Sequence, residues 1–401
     1  MNYKFNPYIL VTFLFSILFF TVFSSVGVFK ENTTNFLASV FFSKSIYTED
    51  IIDKYDDALS KKKKEKVKIL IVPGHDNKSF GAYANNTTEA EINLAVAKEL
   101  KNILEREKGI EILLSRDDTG YNSKLQKYLE EEKDDIEDFQ LSKKKIMNDL
   151  IQEGKVESNI VVHHNFARPE VVDVLYGINK FANDNKFDIT IHIHFNDYPG
   201  RTGAYGKHSG FSIYVPEKQY SNAEASYEFA EKVSRHLAGV FAISDLPKEG
   251  MITEDQELIA VGSYNTADSV VALVEYGYIY ESQFTDPEIK DVVLKELAQQ
   301  THYGIMDYLN DENSDKKTFG NFVDYEWKKD ILFGDRGLNV LALQDYLHDH
   351  GHYPVDENLN ECPLNGNFRN CTKNSLIQFQ LDKNLNPTGF LDKTTRQIIN
   401  Q

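Results

Sequence analysis

The chain has 401 residues, of which 41% are hydrophobic, so it is not an intrinsically disordered protein and is long enough for more than one domain. Its 62 acidic residues outnumber its 44 basic ones and give a formal net charge of −18. Nucleic-acid-binding proteins need a basic face to contact phosphates, so this balance argues against nucleic acid as a partner.

The first segment of the chain is apolar enough to enter a membrane. Residues 8–29, YILVTFLFSILFFTVFSSVGVF, contain no charged side chain and, as a helix, reach roughly the 30 Å of a hydrocarbon core. Lys4 precedes them, so the positive-inside rule places the N-terminus in the cytoplasm and the rest of the chain outside. We predict a membrane anchor or signal segment over 1–30 and an extracytoplasmic location in the cell envelope. A cleaved signal peptide ending near SSVG is the alternative.

Charge and periodicity divide the remaining chain. Residues 31–66 are polar, end in SKKKKEK and are predicted to be a linker. Strand-like runs and amphipathic helices alternate over 67–310, which is typical of an α/β domain with a mostly parallel sheet flanked by helices. Residues of about 119–175 fit this alternation poorly and are predicted to be an insertion. A linker over 311–327 then precedes a C-terminal domain over 328–401.

Ionisable residues stand near the carboxyl ends of three predicted strands. His75 follows ILIVPG, His194 lies in DITIHIHFND, and Glu275 lies near the end of SVVALVEYG. Ligands of open α/β sheets bind at the carboxyl ends of the strands. We therefore expect these three groups to share one site.

The stretch NNTTEAEINLAVAKEL offers a further carboxylate. Thr88 and Glu91 have the spacing of a capping box, in which the glutamate returns to the Thr88 backbone N–H, so Glu91 is assigned a structural role. Glu89 is then free to point toward the strand ends. Two histidines and a glutamate are a known ligand set of catalytic zinc, which leaves Glu275 as a base beside them.

Together these motifs resemble a known family. VPGHDN, EAEINLAVAKEL, LLSRDD, FDITIHIHFND and ALVEYGYI, in this order over about 67–309, are similar to the zinc-dependent N-acetylmuramoyl-L-alanine amidases of the type-3 family. The resemblance implies Zn2+ held by His75, Glu89 and His194, with Glu275 as catalytic acid/base. It also implies hydrolysis of the amide bond between N-acetylmuramic acid and L-alanine in peptidoglycan. A zinc peptidase acting on another wall amide and a non-catalytic wall-binding protein are the alternative interpretations.

Two loops depart from the family pattern. The family usually carries a second glycine pair after the first histidine, where this chain has Asp76 and Asn77. It usually continues with serine and asparagine after the catalytic glutamate, where Tyr280 and Glu281 stand here. The ligand and base positions are retained, so activity is expected, with substrate binding near these loops in question.

Other histidines compete for the ligand role. His192 lies on the same strand face as His194, because side chains alternate along a strand. The family pattern favours His194 and leaves His192 as a core histidine or a neighbour of the ligands. His163 and His164 are interpreted as surface residues of the insertion. Family members sometimes carry a helix in this region that blocks the site, so regulation by the insertion is a further hypothesis.

The C-terminal segment resembles the peptidoglycan-binding type-1 domain, a small three-helix module. The matching stretches are GDRGLNVLALQDYL, NGNF, LIQFQ and TGFLDKTT. The resemblance implies that this domain holds the enzyme at its insoluble substrate, peptidoglycan. The sequence does not reveal whether an activator protein takes part. Cys362 and Cys371 are expected to form a disulfide in an exported protein, with two unpaired thiols as the alternative.

Overall fold

The structure is a computed structural model. It describes residues 46–60, 62, 65–154, 169–198, 201–204, 206–218, 220–262, 268–313, 325–356 and 358–401. The predicted membrane segment over 1–30 lies outside the described residues, as do His163 and His164. Within the described ranges, no helix combines the length and apolarity needed to span a bilayer.

A six-stranded sheet lies at the centre of the α/β domain. The strands in chain order are β1 (Val67–Pro73), β2 (Tyr83–Ala84), β3 (Thr87–Thr88), β4 (Ile110–Leu114), β5 (Ile189–Asn196), β6 (Ser212–Pro216), β7 (Ile252–Asp255) and β8 (Val270–Tyr278). β2 and β3 form a short hairpin, and the others form the sheet in the order β4-β1-β5-β8-β6-β7. β6 pairs antiparallel with β8, and the other neighbours in this sheet pair parallel, which confirms the predicted mostly parallel sheet.

Helices cover both faces of this sheet. Those of the α/β domain are α1 (Thr48–Leu59), α2 (Glu89–Leu104), α3 (Ser123–Glu131), α4 (Lys133–Gln152), α5 (Pro169–Asp184), α6 (Ala223–Ala238), α7 (Ser282–Thr285) and α8 (Lys290–Leu309). The central strands β1, β5 and β8 are buried on both faces; β1 and β8 are largely apolar, whereas β5 alternates apolar residues with threonine, histidine and asparagine. One face packs with α2, α6 and α8 in the main core, and the other packs with α3 and α5.

The predicted insertion contributes to the second of these layers. Leu125 of α3 is fully buried in a cluster with Phe181 of α5 and with Leu70 and Val72 of β1. The insertion therefore covers one face of the sheet, rather than standing apart from it. Its removal would expose apolar strand residues to water.

Part of the predicted polar linker is a packed helix. Ile51 and Tyr55 of α1 are buried, and Lys54 Nζ lies 2.8 Å from a carboxylate oxygen of Asp188. The prediction of a solvated linker over 31–66 is wrong for this part. Ile51 and Tyr55 are four residues apart and lie on one face of the helix. This apolar face is too short to be recognised in the sequence, because most of the neighbouring residues are charged.

The C-terminal domain contains three helices, as expected. They are α9 (Leu338–Asp349), α10 (Asn370–Asp382) and α11 (Lys393–Ile399). Among the apolar residues of α9 and α10, Val340, Leu343, Leu347, Leu376 and Phe379 are fully buried, whereas Ile377 is only partly buried. Cys362 and Cys371 form the expected disulfide.

This domain packs directly against the α/β domain. The side-chain amide of Asn360 accepts a hydrogen bond from the Ile243 N–H (3.0 Å) and donates one to the Ile243 carbonyl (2.9 Å). Asn367 Nδ2 donates to Ser282 Oγ at 2.9 Å, and His348 Nε2 lies 2.8 Å from the Gly239 carbonyl oxygen. The two domains therefore share a polar interface in addition to one continuous core.

Candidate metal centre

Three sequence-distant residues meet at the carboxyl edge of the sheet. His75 follows β1, Glu89 is the first residue of α2, and His194 lies near the end of β5. His75 Nε2 is 3.1 Å from Glu89 Oε2, and His194 Nδ1 is 3.0 Å from Glu89 Oε1. One potential ligand atom of each residue lies within 4.8 Å of the other two. The structure thus brings together the three residues that the sequence pointed to.

The start of α2 fixes the Glu89 side chain. Thr88 and Glu91 form the predicted capping box, so Glu91 returns to the backbone and is directed away from the centre. The Glu89 carboxylate accepts backbone hydrogen bonds from Ala82 (2.9 Å) and Phe195 (3.3 Å). These donors hold the buried carboxylate between the two imidazoles.

Two glycines allow the backbone to approach the cluster closely. A Cβ at Gly74 would lie 2.1 Å from the His194 ring. A Cβ at Gly81 would lie 2.3 Å from Glu89 Oε2, and Gly81 also has a φ of +73° that favours glycine. A larger residue at either position would displace a member of the cluster.

A buried arginine and an asparagine hold the turn that presents His75. Arg116 donates to the carbonyls of Pro73 (3.1 Å), Gly74 (3.0 Å) and Ala90 (2.9 Å), and so ties this turn to α2. Asn93 Nδ2 donates to the Gly74 carbonyl as well, at 3.0 Å. Neither role could be predicted from the sequence, because the acceptors are mainly backbone carbonyls, which every residue carries.

The electrostatics of the cluster favour an ionised Glu89. Burial opposes ionisation, but hydrogen bonds from His194 and His75 and their charges outweigh it and lower the pKa of Glu89 below its usual value. Burial also lowers the pKa of His194, against the opposing effect of Glu89. At His75 burial is outweighed by the Glu89 hydrogen bond, and the pKa is raised.

Glu275 lies on the strand beside His194. The two residues are register partners in β5 and β8, so their side chains project from the same face of the sheet. Glu275 is buried, and its Oε2 has no hydrogen-bond partner among the described residues. Burial, followed by the charges of Glu89 and Glu249, raises the pKa of Glu275 well above its usual value.

Glu249 is a neighbour of this site that the sequence analysis missed. It accepts hydrogen bonds from the hydroxyls of Tyr214 and Ser244 and from Asn196 Nδ2 at 3.3 Å. It lies in the loop before β7, a short strand that was also not predicted. No motif in that loop indicated its position.

The competing histidine, His192, is not part of the cluster. It is buried on β5, and its Nε2 has no hydrogen-bond partner within the described ranges. Burial and then the proximity of His194 lower its pKa to about 3. This environment keeps the imidazole neutral and agrees with the predicted core position.

The two loops that depart from the family pattern have local structural roles. Asp76 accepts backbone hydrogen bonds from Lys78 and Ser79, both at 2.8 Å, and so closes its own turn. Tyr280 donates its hydroxyl to the His208 carbonyl at 2.8 Å. Glu281 accepts from the backbone N–H groups of Tyr278 (2.7 Å) and Gly210 (3.1 Å). The substituted residues therefore stabilise the loops around the site.

The donor set of the cluster fits zinc. Two imidazole nitrogens and one carboxylate oxygen are a protein ligand set of catalytic zinc sites, in which a further position stays open to water or substrate. Their ligand atoms lie within 4.8 Å of one another, so small side-chain movements would bring them around a single ion at about 2.0–2.2 Å. Water could reach such an ion past His75, which is only partly buried.

Two family models match parts of the chain. Residues 69–307, more than half of the chain, match the family model described as N-acetylmuramoyl-L-alanine amidase, and residues 336–399 match the model of a peptidoglycan-binding domain. A search of curated proteins found no match to the chain.

Several solved structures are similar to part of the chain. An N-acetylmuramoyl-L-alanine amidase from Clostridium difficile 630 is 19% identical, with 61% of this chain and 98% of that chain covered and a TM-score of 0.38. The CwlD amidase from Clostridioides difficile, solved with the GerS lipoprotein, is 15% identical, with coverage of 62% and 100% and a TM-score of 0.40. The catalytic domain of the amidase CwlV from Bacillus (Paenibacillus) polymyxa var. colistinus is 18% identical, with coverage of 61% and 98% and a TM-score of 0.38. On the evidence of the family model, this chain belongs to the N-acetylmuramoyl-L-alanine amidase family and carries a peptidoglycan-binding domain after its amidase domain.

Proposed function

We propose that this amidase is zinc-dependent and hydrolyses the amide bond between N-acetylmuramic acid and the L-alanine of the peptidoglycan stem peptide. In this proposal His75, Glu89 and His194 hold the metal, and Glu275 is the catalytic acid/base. The observation that carries it is the close approach of the three ligand atoms, within 4.8 Å, beside an in-register glutamate on the neighbouring strand.

The chemistry divides between the metal and the protein. Zinc, when bound, supplies a Lewis acid that polarises the scissile carbonyl and lowers the pKa of a water molecule. Glu275 has a buried carboxylate oxygen with no partner in the described part of the chain, so that oxygen is available to accept a proton from this water. The same carboxyl group then donates the proton to the departing amine, which is otherwise a poor leaving group.

The surroundings of the two carboxylates support this division of roles. Hydrogen bonds and nearby imidazoles stabilise the ionised form of Glu89, as a metal ligand requires. Burial and neighbouring negative charges favour the protonated form of Glu275, and a bound cation would oppose that tendency. A glutamate whose pKa is raised above its usual value is better suited to donate a proton as well as to accept one.

The domain content indicates an extracytoplasmic, cell-envelope location, because both matched families act on or bind the wall. We further propose that residues 8–29 anchor the protein in the membrane, with peptidoglycan as the partner of the C-terminal domain. Fractionation of cells that produce the full chain would test the anchor. Recovery with the membranes is expected, and recovery in the medium with a new N-terminus after about residue 25 would indicate a cleaved signal peptide.

The decisive experiment uses the full chain, loaded with zinc, on isolated peptidoglycan. We expect release of peptides that begin with a free L-alanine amino group, release slowed by at least about 10²-fold in Glu275→Gln, and normal release by Glu254→Gln, which alters an exposed glutamate of β7. Release of a different amino terminus would favour the zinc peptidase. Zinc binding without any release would favour the non-catalytic wall-binding protein.

A further inference from the structure

Three aromatic side chains stand exposed beside the metal centre and have no role in the site described so far. Phe80 and Tyr83 are 54% and 56% exposed, and Tyr198 is 36% exposed. They account for half of the exposed aromatic residues in the described part of the chain, the others being Tyr47, Tyr227 and Phe333. We call Phe80, Tyr83 and Tyr198 the aromatic rim.

Phe80 and Tyr83 are held next to two of the proposed ligands. They flank Gly81 and Ala82, and Ala82 donates its N–H to Glu89 Oε2 at 2.9 Å. The Phe80 carbonyl accepts the Ala90 N–H at 3.0 Å, so this loop is joined to the first turn of α2. Gly81 approaches the His75 ring so closely that a Cβ there would lie 2.6 Å from Cδ2. The loop that carries Phe80 and Tyr83 therefore lies directly against the metal centre.

Arg201 connects the other part of the rim to the first. Its guanidinium binds both carboxylate oxygens of Asp197 (2.7 and 3.0 Å), the residue before Tyr198. It also donates to the Tyr83 carbonyl at 2.6 Å and lies 5.2 Å from the centre of the Tyr280 ring. The loop that follows β5 is therefore fixed to the β2–β3 hairpin, which joins the segments that carry Tyr83 and Tyr198.

The chemistry of this surface suits a sugar ring. Isolated exposed aromatic residues are common, but a group of them at the mouth of a site indicates ligand binding. The apolar C–H face of a pyranose packs on an aromatic ring, and the substrates of this family carry N-acetylated sugars next to the amide that is cut. The charge of Arg201 is already compensated by Asp197, so the guanidinium is not available for a carboxylate of the stem peptide.

We propose that the aromatic rim is a saccharide-binding subsite, which packs against the sugar rings on the muramyl side of the scissile amide. This inference rests on the proposed function and adds a specificity element to it. The rim then makes the enzyme prefer glycan-linked peptides over the same peptides attached to lactate alone.

The test compares two soluble substrates in the zinc-loaded full chain. One is a disaccharide of N-acetylglucosamine and N-acetylmuramic acid with its stem peptide, and the other is the same peptide linked to D-lactate without a sugar. We expect Phe80→Ala, Tyr83→Ala and Tyr198→Ala each to raise KM for the disaccharide substrate about three- to tenfold, with kcat unchanged. Turnover of the lactoyl peptide should be the same in wild type and in each variant, because this substrate has no sugar for the rim to contact.

Control variants separate binding from folding. Tyr227→Ala removes an exposed ring from α6, outside both rim loops, and should behave as wild type. Tyr83→Phe keeps the ring while losing the hydroxyl bond to Asn86, and should retain the preference for the disaccharide. Equal losses on both substrates in the alanine variants, or an unchanged preference, would overturn the proposal.

A binding measurement keeps this test independent of hydrolysis. A disaccharide without peptide contains no scissile amide, and its contact with the protein can be followed by saturation-transfer difference NMR. The variant that combines Phe80→Ala, Tyr83→Ala and Tyr198→Ala should give a weaker saturation-transfer signal from the sugar than wild type, whereas Tyr227→Ala should give the wild-type signal. If wild type cleaves neither substrate, the proposed function fails, whereas an unaltered NMR signal in the triple variant refutes the rim alone.

Discussion

Glu89 and Glu275 lie at the same edge of the sheet, yet their surroundings differ in almost every respect. Glu89 accepts backbone hydrogen bonds on its two oxygens and faces two imidazoles, whereas Glu275 has one buried oxygen without a partner in the described ranges. The pKa of the first is lowered and that of the second is raised. The role of a carboxylate is therefore set by its hydrogen-bond donors and by neighbouring charges, and the residue type alone does not reveal it.

The largest effect is expected from the loss of Glu89. Glu89→Ala removes one proposed ligand and leaves the two histidines without their shared acceptor, so we expect zinc binding and amidase activity to be lost together. Zinc content after gel filtration and release of L-alanine termini measure the two losses. Glu91→Gln is the matched control, because it alters the capping box of the same helix and should retain zinc. Retention of zinc by Glu89→Ala would contradict the assignment of Glu89 as a metal ligand.

Glu275→Gln should separate catalysis from metal binding. The substitution keeps the shape of the side chain but removes its ability to accept and donate the proton, so kcat should fall by about 10²–10⁴-fold. Zinc content should remain that of wild type. Loss of zinc by Glu275→Gln would indicate that Glu275 is a metal ligand, like Glu89, and would contradict its assignment as the acid/base.

A smaller effect is expected at Asn93, which supports both Glu89 and the turn that presents His75. Its amide group donates to the Gly74 carbonyl and lies 3.4 Å from Glu89 Oε1, so Asn93→Ala should lower zinc affinity about tenfold. Competition with a zinc chelator measures this affinity. Asn102→Ala, on the exposed face of the same helix, is the control. Equal affinities in the two variants would show that the support is dispensable.

The pH dependence of stability should distinguish the two carboxylates in the metal-free protein. Because the folded-state pKa of Glu275 is raised above 4.5, its stabilising contribution is lost as pH rises from that value through the folded pKa. Because the pKa of Glu89 is lowered, its contribution is present above 4.5 and is lost as pH falls below it. Urea unfolding with a chelator present, as a function of pH, measures both.

Single substitutions should weaken separately the two declines of the unfolding free energy, one above and one below pH 4.5. Glu275→Gln should reduce the decline of the unfolding free energy above pH 4.5, to which the raised pKa values of Glu281 and Asp255 also contribute. Glu89→Gln should reduce the decline below pH 4.5, to which the lowered pKa values of Asp76 and Glu91 also contribute. Parallel curves for wild type and either variant would contradict the assigned environment of that residue.

Much of the fold could be predicted from the sequence because its central strands carry a strong signal. β1 and β8 are mostly apolar, β5 alternates isoleucine with polar residues in the pattern of a strand, and α2 begins at a recognisable capping box. The short edge strand β7 and the polar helix α1 were missed. Their few buried residues do not change the local composition enough to be seen without the rest of the structure.

The proposed metal ligands could also be predicted from the sequence, whereas the residues that hold the site in place could not. His75 and His194 stand at the ends of predicted strands, and the capping box left Glu89 as the unassigned glutamate. Arg116 and Glu249 act through backbone carbonyls and through hydroxyls that come from distant parts of the chain. Such contacts depend on tertiary geometry, to which no spacing in the sequence corresponds.

The packing of the C-terminal domain on the amidase domain limits how this architecture can be recombined. A module joined only by a flexible linker can be exchanged for another without altering its partner. Here Asn360 is bonded to Ile243 and Asn367 to Ser282, so the surface of one domain is matched to that of the other. Chimaeras that exchange the wall-binding module should therefore carry the facing segments 239–243 and 282–289 along with it.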